Sequence, residues 1–233
     1  MLRTLLLAIA LAPGQTTPPP TAADAVPEIV NQDFETPLES GLPKGMVASV
    51  ATEPNAKGTV AKWAVVEDPT APSGKHVLQL VESKNRGAVY NLCMREEKSP
   101  ADVTVSVKLR ADRGVEDRGG GLIWRAVDEQ NYYLVRWNPL EKTVCAYRTI
   151  KGRRITLQFV EVAGGSGAWH SLQVTMRGRV IEVSFDGAQV MSLPDDLFKE
   201  AGRVGLWTRS DAQSSFDDLK IAPAAPAAPA TVK

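Results

Sequence analysis

Apolar and polar residues alternate along most of the chain with a period of two. Segments with this alternation include 103–109, 121–127, 132–137, 143–150 and 180–185, and they are rich in β-branched and aromatic residues. Gly, Asn and Pro separate them, and no stretch sustains the apolar period of about 3.6 residues that marks an amphipathic helix. The pattern therefore predicts an all-β protein.

The number of these segments predicts how they are arranged. About ten strands with one apolar face each are buried most economically as two packed antiparallel sheets. We expect one sandwich domain over residues 29–221, since β-sandwiches of about 200 residues often form a single unit. The one helical feature predicted is a short turn at 194–201, where Leu197 and Phe198 would tuck beneath a loop.

The two ends of the chain differ from this domain in composition. Residues 1–12 carry Arg3 and a short apolar run, which is too brief to cross a bilayer as a helix and is typical of a signal peptide. Residues 13–28 form a Pro/Thr-rich spacer and residues 222–233 an Ala/Pro-rich tail expected to be disordered. We therefore expect a protein that is secreted, periplasmic or on the cell surface, without a membrane span.

Charge and cysteine content narrow the choice of partners and compartments. Lys plus Arg and Asp plus Glu both total 27, so the formal net charge is zero. Without a net positive field, the chain is not expected to bind nucleic acid. Cys93 and Cys145 are either one disulfide in an oxidising compartment or two buried thiols, and the sequence leaves both open. The sequence indicates no oligomeric state.

The loop at 128–131 predicts the phase of the two strands beside it. A tight hairpin there pairs Arg125 with Leu134. One face of the hairpin is then almost uniformly apolar and is expected in the core; it consists of Leu122, Trp124, Ala126, Tyr133, Val135 and Trp137. The opposite face carries Arg125, Tyr132 and Arg136, and we expect these three side chains to be exposed.

An exposed sheet face with Arg and Tyr suits a carbohydrate. Aromatic rings stack on the apolar faces of sugar rings, and guanidinium groups donate paired hydrogen bonds to hydroxyl or carboxylate oxygens. We therefore predict that Arg125, Tyr132 and Arg136 bind the ligand of a secreted glycan-binding module. An ordinary solvated sheet surface is the alternative interpretation of the same residues.

Several segments resemble a known family. Gly120-Gly121-Leu122-Ile123-Trp124-Arg125, followed by Asn131-Tyr132-Tyr133-Leu134-Val135-Arg136, resembles the central hairpin of concanavalin A-like jelly rolls of the laminin-G type. The bacterial branch related to 3-keto-disaccharide hydrolase domains is the most similar. Phe185-Asp186-Gly187 and Gly205-Leu206-Trp207 follow in the same order. The resemblance implies a two-sheet antiparallel jelly-roll sandwich.

The same resemblance implies an alternative function, a hydrolase or lyase acting on a modified, 3-keto-type saccharide. Arg125 would then orient the substrate, and Asp128 or Glu129 would act as acid or base. The sequence lacks the Glu-x-Asp-x-x-Glu run of glycosidases with this fold, and it contains only two histidines, His76 and His170. We therefore predict no catalytic residues and favour a binding protein over a glycoside hydrolase-like enzyme.

A second resemblance concerns the ends of the domain. Asn31-Gln32-Asp33-Phe34-Glu35 and Asp217-Asp218-Leu219 are similar to elements of secreted carbohydrate-binding modules whose first and last strands adjoin a structural calcium ion. Carboxylate oxygens are ligands that Ca²⁺ prefers. The resemblance thus implies Glu35 and Asp218 as calcium ligands, with strand ends capped in water as the alternative.

Overall fold

The computed structural model describes residues 30–36 and 41–226, and within these ranges every regular element is a β-strand. The strands are β1 (Val30–Gln32), β2 (Met46–Thr52), β3 (Lys62–Glu67), β4 (His76–Glu82), β5 (Val89–Ser99), β6 (Val103–Arg113), β7 (Gly120–Asp128), β8 (Asn131–Asn138), β9 (Thr143–Ile150), β10 (Arg153–Glu161), β11 (Trp169–Arg177), β12 (Val180–Phe185), β13 (Ala188–Pro194), β14 (Gly202–Arg209) and β15 (Gln213–Pro223). The expected signal peptide, the spacer and the end of the C-terminal tail lie outside the described residues.

The strands form two antiparallel sheets. Sheet I has the order β13-β12-β11-β6-β15-β4-β3, with β1 paired to β15, and sheet II has the order β10-β9-β8-β7-β14-β5-β2. Strands that are distant in the sequence lie side by side at the centre of each sheet, as β7 and β14 do in sheet II. The predicted all-β, two-sheet antiparallel jelly-roll sandwich is confirmed.

The main hydrophobic core lies between the two sheets. Because side chains alternate between the faces of a strand, β7 sends Trp124 into this core and β8 sends Tyr133 and Trp137. Trp124 stacks on Tyr133 with ring centroids 5.5 Å apart, and its indole N–H donates to the sulfur of Met176 at 3.0 Å. The expectation that these tryptophans face the core is correct.

The β7–β8 hairpin contains a bulge that simple alternation does not predict. Asp128 pairs with Asn131 to close the hairpin, but the next pair is Trp124 with Tyr133. Residues 125–127 therefore occupy the space opposite a single residue of β8. The bulge adds two residues, which is an even number. The side chains before and after it therefore keep the same alternation between the inward and outward faces of the sheet.

The bulge changes the surroundings of Arg125. Its backbone has a left-handed φ of 46°, and Ile123, not Arg125, pairs with Leu134. The predicted register is therefore wrong beyond the bulge. The backbone of Gly202 passes close to that of Arg125, since a Cβ atom on Gly202 would lie 2.4 Å from the carbonyl carbon of Arg125.

Residues 194–201 do not form the predicted helical turn. β13 continues to Pro194, and an irregular segment leads from there to β14. The backbone N–H groups of this segment donate to side chains instead of to helical carbonyl groups: Leu197 donates to Asp195 at 3.0 Å and Phe198 to the Tyr133 hydroxyl at 3.2 Å. Phe198 nevertheless packs on the edge of Tyr133, as a residue tucked beneath the segment would.

The two cysteines are on opposite faces of sheet II. Cys93 belongs to the core between the sheets, whereas Cys145 belongs to a cluster on the outer face, and both are free thiols. Of the two alternatives left by the sequence, the structure shows the buried thiols. In the part of the chain that the structure describes, no helix is long and apolar enough to span a membrane.

Candidate functional site

The outer face of sheet II carries a second cluster of buried side chains. The alternation that sends Trp124 inward sends Ile123 and Leu134 outward. There they join residues of β2, β5, β9 and β14, and the cluster comprises Ala51, Tyr90, Leu92, Met94, Ile123, Ala126, Tyr132, Leu134, Cys145, Tyr147 and Trp207. The face of a sheet that points away from the core is commonly polar, so an aromatic cluster there marks a candidate interaction site.

Two arginines lie among the aromatic residues of this cluster. We define the aromatic–arginine face as Tyr90, Tyr132, Tyr147, Trp207, Arg136 and Arg154. Arg154 lies on β10 opposite Thr149 of β9, which places it at the edge of the sheet. Its guanidinium carbon is 4.9 Å from the ring centre of Tyr90, 5.0 Å from that of Tyr147 and 5.4 Å from that of Trp207.

Arg154 is therefore held by π-electron systems. A guanidinium group within about 6 Å of an aromatic ring gains roughly 0.5–2 kcal/mol, depending on how far it is desolvated. Beneath it, Tyr90 and Trp207 stack with centroids 5.5 Å apart. Because Arg154 is partly exposed while these two rings are buried, its side chain covers the rings from solvent.

A short hydrogen-bonded chain fixes the outer end of Tyr90. Arg154 Nε donates to the Tyr90 hydroxyl at 3.1 Å, and that hydroxyl donates to Glu53 Oε1 at 2.8 Å. Burial raises the pKa of Tyr90 to about 12, so the hydroxyl stays protonated at neutral pH. Glu53 thus reaches Arg154 only through the hydroxyl of Tyr90.

Arg136 and two carboxylates form the other end of the face. Arg136 Nη2 donates to Glu141 Oε2 at 2.6 Å, and its guanidinium carbon is 5.9 Å from the ring centre of Tyr147. Asn138 Nδ2 donates to Asp117 Oδ1 at 3.0 Å and lies 3.4 Å from Glu141 Oε1. The two carboxylates therefore contact one amide nitrogen.

The surroundings push the pKa values of these two carboxylates apart. Asp117 is 2% exposed, and this burial raises its pKa although Arg136 and Arg209 oppose the shift. For Glu141, burial acts in the same direction, but the hydrogen bond and the charge of Arg136 outweigh it and hold the pKa below its ordinary value. Such a divergence is typical of acid and base pairs.

Several buried polar atoms of the face have no hydrogen-bond partner among the described residues. They are Nε and Nη1 of Arg136 and Nη1 of Arg154. The Tyr132 hydroxyl, in contrast, interacts with the Thr149 hydroxyl and the Trp207 indole N–H. Buried polar groups are rarely left unpaired, so the three guanidinium N–H groups are donors that water or a ligand can satisfy.

The structure brings two of the three predicted ligand residues to this face. Tyr132 and Arg136 lie on it, but they are 0% and 4% exposed, so the predicted exposure is wrong. The physical reason is that large neighbours, Trp207 from β14 and Tyr147 from β9, fill the space around them.

Arg125 is not on the face, because the bulge turns it toward the edge of the sandwich. It is 2% exposed. Its Nε donates to the carbonyl of Ala101 at 2.7 Å, and its Nη1 donates to those of Gly178 and Phe198 at 3.0 and 2.8 Å. Nη2 contacts Asp102 at 3.2 Å. Arg125 thus connects three chain segments, and its role is structural.

The acids suggested for the enzymatic alternative serve the hairpin itself. Asp128 accepts hydrogen bonds from the backbone of Gln130 at 2.7 Å and from Asn131 Nδ2 at 2.9 Å. Glu129 forms an ion pair with Arg203 at 2.9 Å. Neither carboxylate contacts the aromatic–arginine face through a hydrogen bond to the residues that define it.

The two predicted calcium ligands have separate surroundings. Glu35 Oε1 accepts from the backbone N–H groups of Lys75 and His76 at 2.8 and 2.6 Å, and Oε2 lies 3.0 Å from His76 Nδ1. Asp218 lines a groove on the outer face of sheet I beside Lys108 and Lys220. Within the described ranges, no group of three or more His, Cys, Asp or Glu is placed to hold a metal ion.

Three N–H donors already occupy the Glu35 carboxylate. Calcium binding by Glu35 and Asp218 stays a prediction, and thermal unfolding with and without a chelator tests it, because an ion that binds only the folded chain raises the midpoint.

Four residues of the face were missed by reasoning from sequence: Tyr90, Tyr147, Arg154 and Trp207. The alternation within 143–150 carries a signal for Tyr147, since it places Tyr147 on the same face as Cys145. No local pattern brings Tyr90 and Trp207 together, because β5 and β14 pair across a long stretch of sequence. β10 is irregular between Thr156 and Gln158, which obscures its phase.

No protein-family profile matches the sequence, and no curated protein matches it. Several solved structures, however, match the fold of this chain. The carbohydrate-binding module CBM66 from Bacillus subtilis is 17% identical with a TM-score of 0.60, over 76% of this chain and 95% of that one. The cellulose-induced protein Cip1 is 15% identical with a TM-score of 0.60, over 83% and 97% of the two chains. The Bacillus licheniformis β-glucanase is 10% identical with a TM-score of 0.55, over 83% and 97%.

At these identities the likenesses establish the fold. The chain is a concanavalin A-like jelly roll, an architecture it shares with carbohydrate-binding modules and with glucanases. These structural likenesses do not confirm the 3-keto-disaccharide hydrolase branch that the sequence resembles.

Proposed function

We propose that this chain is a secreted module that binds a carbohydrate on the aromatic–arginine face. The observation that carries the proposal is the cluster of aromatic rings, guanidinium groups and unpartnered N–H donors on the outer face of sheet II. Two further observations, one from the fold and one from the sequence, support the proposal. The fold is shared with a module named for carbohydrate binding, and the N-terminal apolar run is typical of a signal peptide.

The chemistry of the face matches that of a sugar ring. The apolar face of a sugar stacks on an aromatic ring, and its hydroxyl oxygens accept hydrogen bonds from guanidinium groups. The guanidinium groups of Arg136 and Arg154 each lie within 6 Å of the ring centre of Tyr147. Tyr132 and Trp207 form the floor of the site.

Access to the site depends on Arg154. Its side chain covers Tyr90 and Trp207, lies on an edge strand and is partly exposed. Side-chain rotamer changes at binding sites are common and cost little compared with movements of the backbone. A bound sugar therefore takes the place of the guanidinium group over the rings, and Arg154 donates to the hydroxyl oxygens from the side.

A glycan array with wild type and Tyr147→Ala tests the proposal. We expect wild type to bind at least one class of glycan, and loss of the ring to weaken that binding by about tenfold or more, since a buried aromatic contact contributes on the order of 1–2 kcal/mol. Tyr147→Phe should bind like wild type because it keeps the ring. Thermal unfolding of each variant verifies that it is folded.

The control is Trp169→Ala, which removes a partly exposed tryptophan from the outer face of sheet I. It should leave binding unchanged. The proposal is wrong if wild type binds no glycan on the array, or if Trp169→Ala and not Tyr147→Ala removes the binding.

Cleavage of a saccharide, by a hydrolase or lyase, is a second candidate function. The observation that favours it is the contact of Asp117 and Glu141 with the same amide nitrogen of Asn138, beside Arg136. Glycosidases use two carboxyl groups about 5–9 Å apart, one protonated and one ionised. Burial raises the pKa of Asp117 and Arg136 lowers that of Glu141, so in this alternative Asp117 is the candidate acid and Glu141 the candidate base or nucleophile.

Release of reducing ends from the glycans that bind on the array tests this second candidate. If the chain cleaves them, Glu141→Gln should lower the rate by about two orders of magnitude or more, the typical contribution of acid–base catalysis, without loss of binding. Glu161→Gln, which removes an exposed carboxylate of β10, is the control. No release of reducing ends by wild type would leave binding as the function.

A further inference from the structure

Arg154 differs from the other arginines on the outer face of sheet II in having no carboxylate partner. Arg136 pairs with Glu141 at 2.6 Å and Arg209 with Asp117 at 3.4 Å. Among the described residues, no Asp or Glu oxygen forms a salt bridge with Arg154. Its contacts are the three aromatic rings and the hydroxyl of Tyr90.

This arrangement leaves a partly buried positive charge without a direct carboxylate partner, since Glu53 reaches it only through the Tyr90 hydroxyl and Asp117 and Glu141 act on it through space. Removing a charge from water costs free energy unless an opposite charge or several hydrogen bonds compensate it. Cation–π contacts offset part of that cost, but they use the face of the guanidinium group and leave the N–H donors in its plane free. Nη1 of Arg154 is such a donor, buried and without a partner.

Arg136 offers the same kind of donors nearby. It is 4% exposed, and its Nε and Nη1 have no partner among the described residues, while Nη2 binds Glu141. Both guanidinium groups lie within 6 Å of the ring centre of Tyr147, so they flank the same ring. Planar anions are bound best by guanidinium groups that donate two N–H bonds side by side.

We propose that the saccharide bound on the aromatic–arginine face is acidic, with a carboxylate or sulfate group that binds between Arg154 and Arg136 at the ring of Tyr147. This inference rests on the proposed function and names the class of ligand. The anionic group supplies the direct partner that Arg154 lacks and accepts the unpartnered N–H donors. When the Arg154 side chain changes rotamer to bind the anionic group, the rings of Tyr90 and Trp207 become available for stacking on the sugar.

The charge of the site is local. The chain as a whole has no net charge, so it does not attract polyanions at long range. Binding of an acidic sugar is therefore expected to depend on these two arginines and not on the overall field.

Calorimetric titration with oligosaccharides of matched length tests the inference. The three probes are an oligogalacturonate, which carries carboxylates, a κ-carrageenan oligosaccharide, which carries sulfates, and an uncharged cello-oligosaccharide. We expect one of the two anionic probes to bind about tenfold or more tightly than the uncharged one. Because ion pairs near the surface are screened by salt, the advantage should shrink between about 0.05 M and about 0.5 M NaCl.

Variants show whether Arg154 causes the tighter binding of the anionic probe. Arg154→Gln should remove the preference for the anionic probe, and Arg154→Lys should retain part of it, since lysine keeps the charge but not the fork. Arg153→Gln is the matched control, because Arg153 is the exposed neighbour on the same strand and its loss changes the net charge equally. It should behave like wild type.

The results separate this inference from the proposed function. Equal binding of charged and uncharged probes, reduced by Tyr147→Ala but not by Arg154→Gln, overturns the acidic ligand and leaves carbohydrate binding intact. A preference for anions that Arg153→Gln weakens as much as Arg154→Gln also overturns it, because the effect is then one of net charge. Binding of none of the probes, together with an empty glycan array, overturns both.

Discussion

Arg125 illustrates how a single residue changes its role through backbone geometry. In a regular strand it would point outward beside Arg136. The bulge gives it a left-handed φ and turns its side chain to three carbonyl groups, from Ala101, Gly178 and Phe198. The guanidinium group thereby adds hydrogen bonds between chain segments at the ends of β5, β11 and β13.

Substitution of Arg125 should therefore affect stability. Arg125→Ala leaves three carbonyl groups, those of Ala101, Gly178 and Phe198, without this donor, and loss of such hydrogen bonds costs about 1–3 kcal/mol. Equilibrium denaturation in urea measures the free energy of unfolding. Arg153→Ala, at an exposed position, should change it by less than about 0.5 kcal/mol. A variant Arg125→Ala as stable as wild type would contradict the structural role.

The contrast between Arg125 and Arg136 shows which parts of the site follow from the sequence. Strict alternation places Arg136 and Tyr132 on one face of β8, and the structure agrees, because β8 is regular. The same rule fails for Arg125, because the bulge breaks the alternation there and lies against the distant Gly202, which the residues around Arg125 do not indicate.

At the scale of elements, Glu35 anchors the segment that follows β1. Its carboxylate accepts three N–H hydrogen bonds from Lys75 and His76, at the start of β4. The His76 hydrogen bond, followed by those of the two backbone amides, lowers the pKa of Glu35 from 4.5 to about 2. Because the folded pKa is below the unfolded one, the resulting stability is present above about pH 4.5 and is lost as the pH falls toward 2.

Glu35→Gln should accordingly lower the thermal midpoint at pH 7, and the difference from wild type should shrink progressively below pH 4.5. Differential scanning calorimetry at pH 7, 4 and 3 measures this, with Glu96→Gln at an exposed position as the control. A difference of constant size across this pH range would show that the carboxylate charge does not contribute.

The pairing of elements explains why the fold is easier to predict than the site. The alternation within each strand is a local property, and it correctly predicts the two-sheet sandwich and the inward tryptophans of β7 and β8. The aromatic–arginine face, however, joins β5, β8, β9, β10 and β14, and the neighbours β7 and β14 meet only in the folded sheet. Sequence alone gives no register for such long-range pairs.

At the scale of the molecule, the two outer faces of the sandwich differ in chemistry. The outer face of sheet I presents a groove whose lining includes Ser106, Lys108 and Lys220. The outer face of sheet II presents buried aromatic rings with an unpaired guanidinium group. We propose that carbohydrate binds to the second face.

The five tryptophans of the chain provide a probe of each region. Trp207 lies on the aromatic–arginine face, Trp169 lies on the outer face of sheet I, and Trp63, Trp124 and Trp137 lie between the sheets. Each indole N–H group gives a separate resonance in a ¹⁵N-correlated NMR spectrum, so one titration with the saccharide that binds most tightly reports on all regions at once.

We predict that the Trp207 indole resonance shifts progressively to saturation, while that of Trp169 stays in place. A saturable shift of Trp169 with an unmoved Trp207 would contradict binding on the aromatic–arginine face.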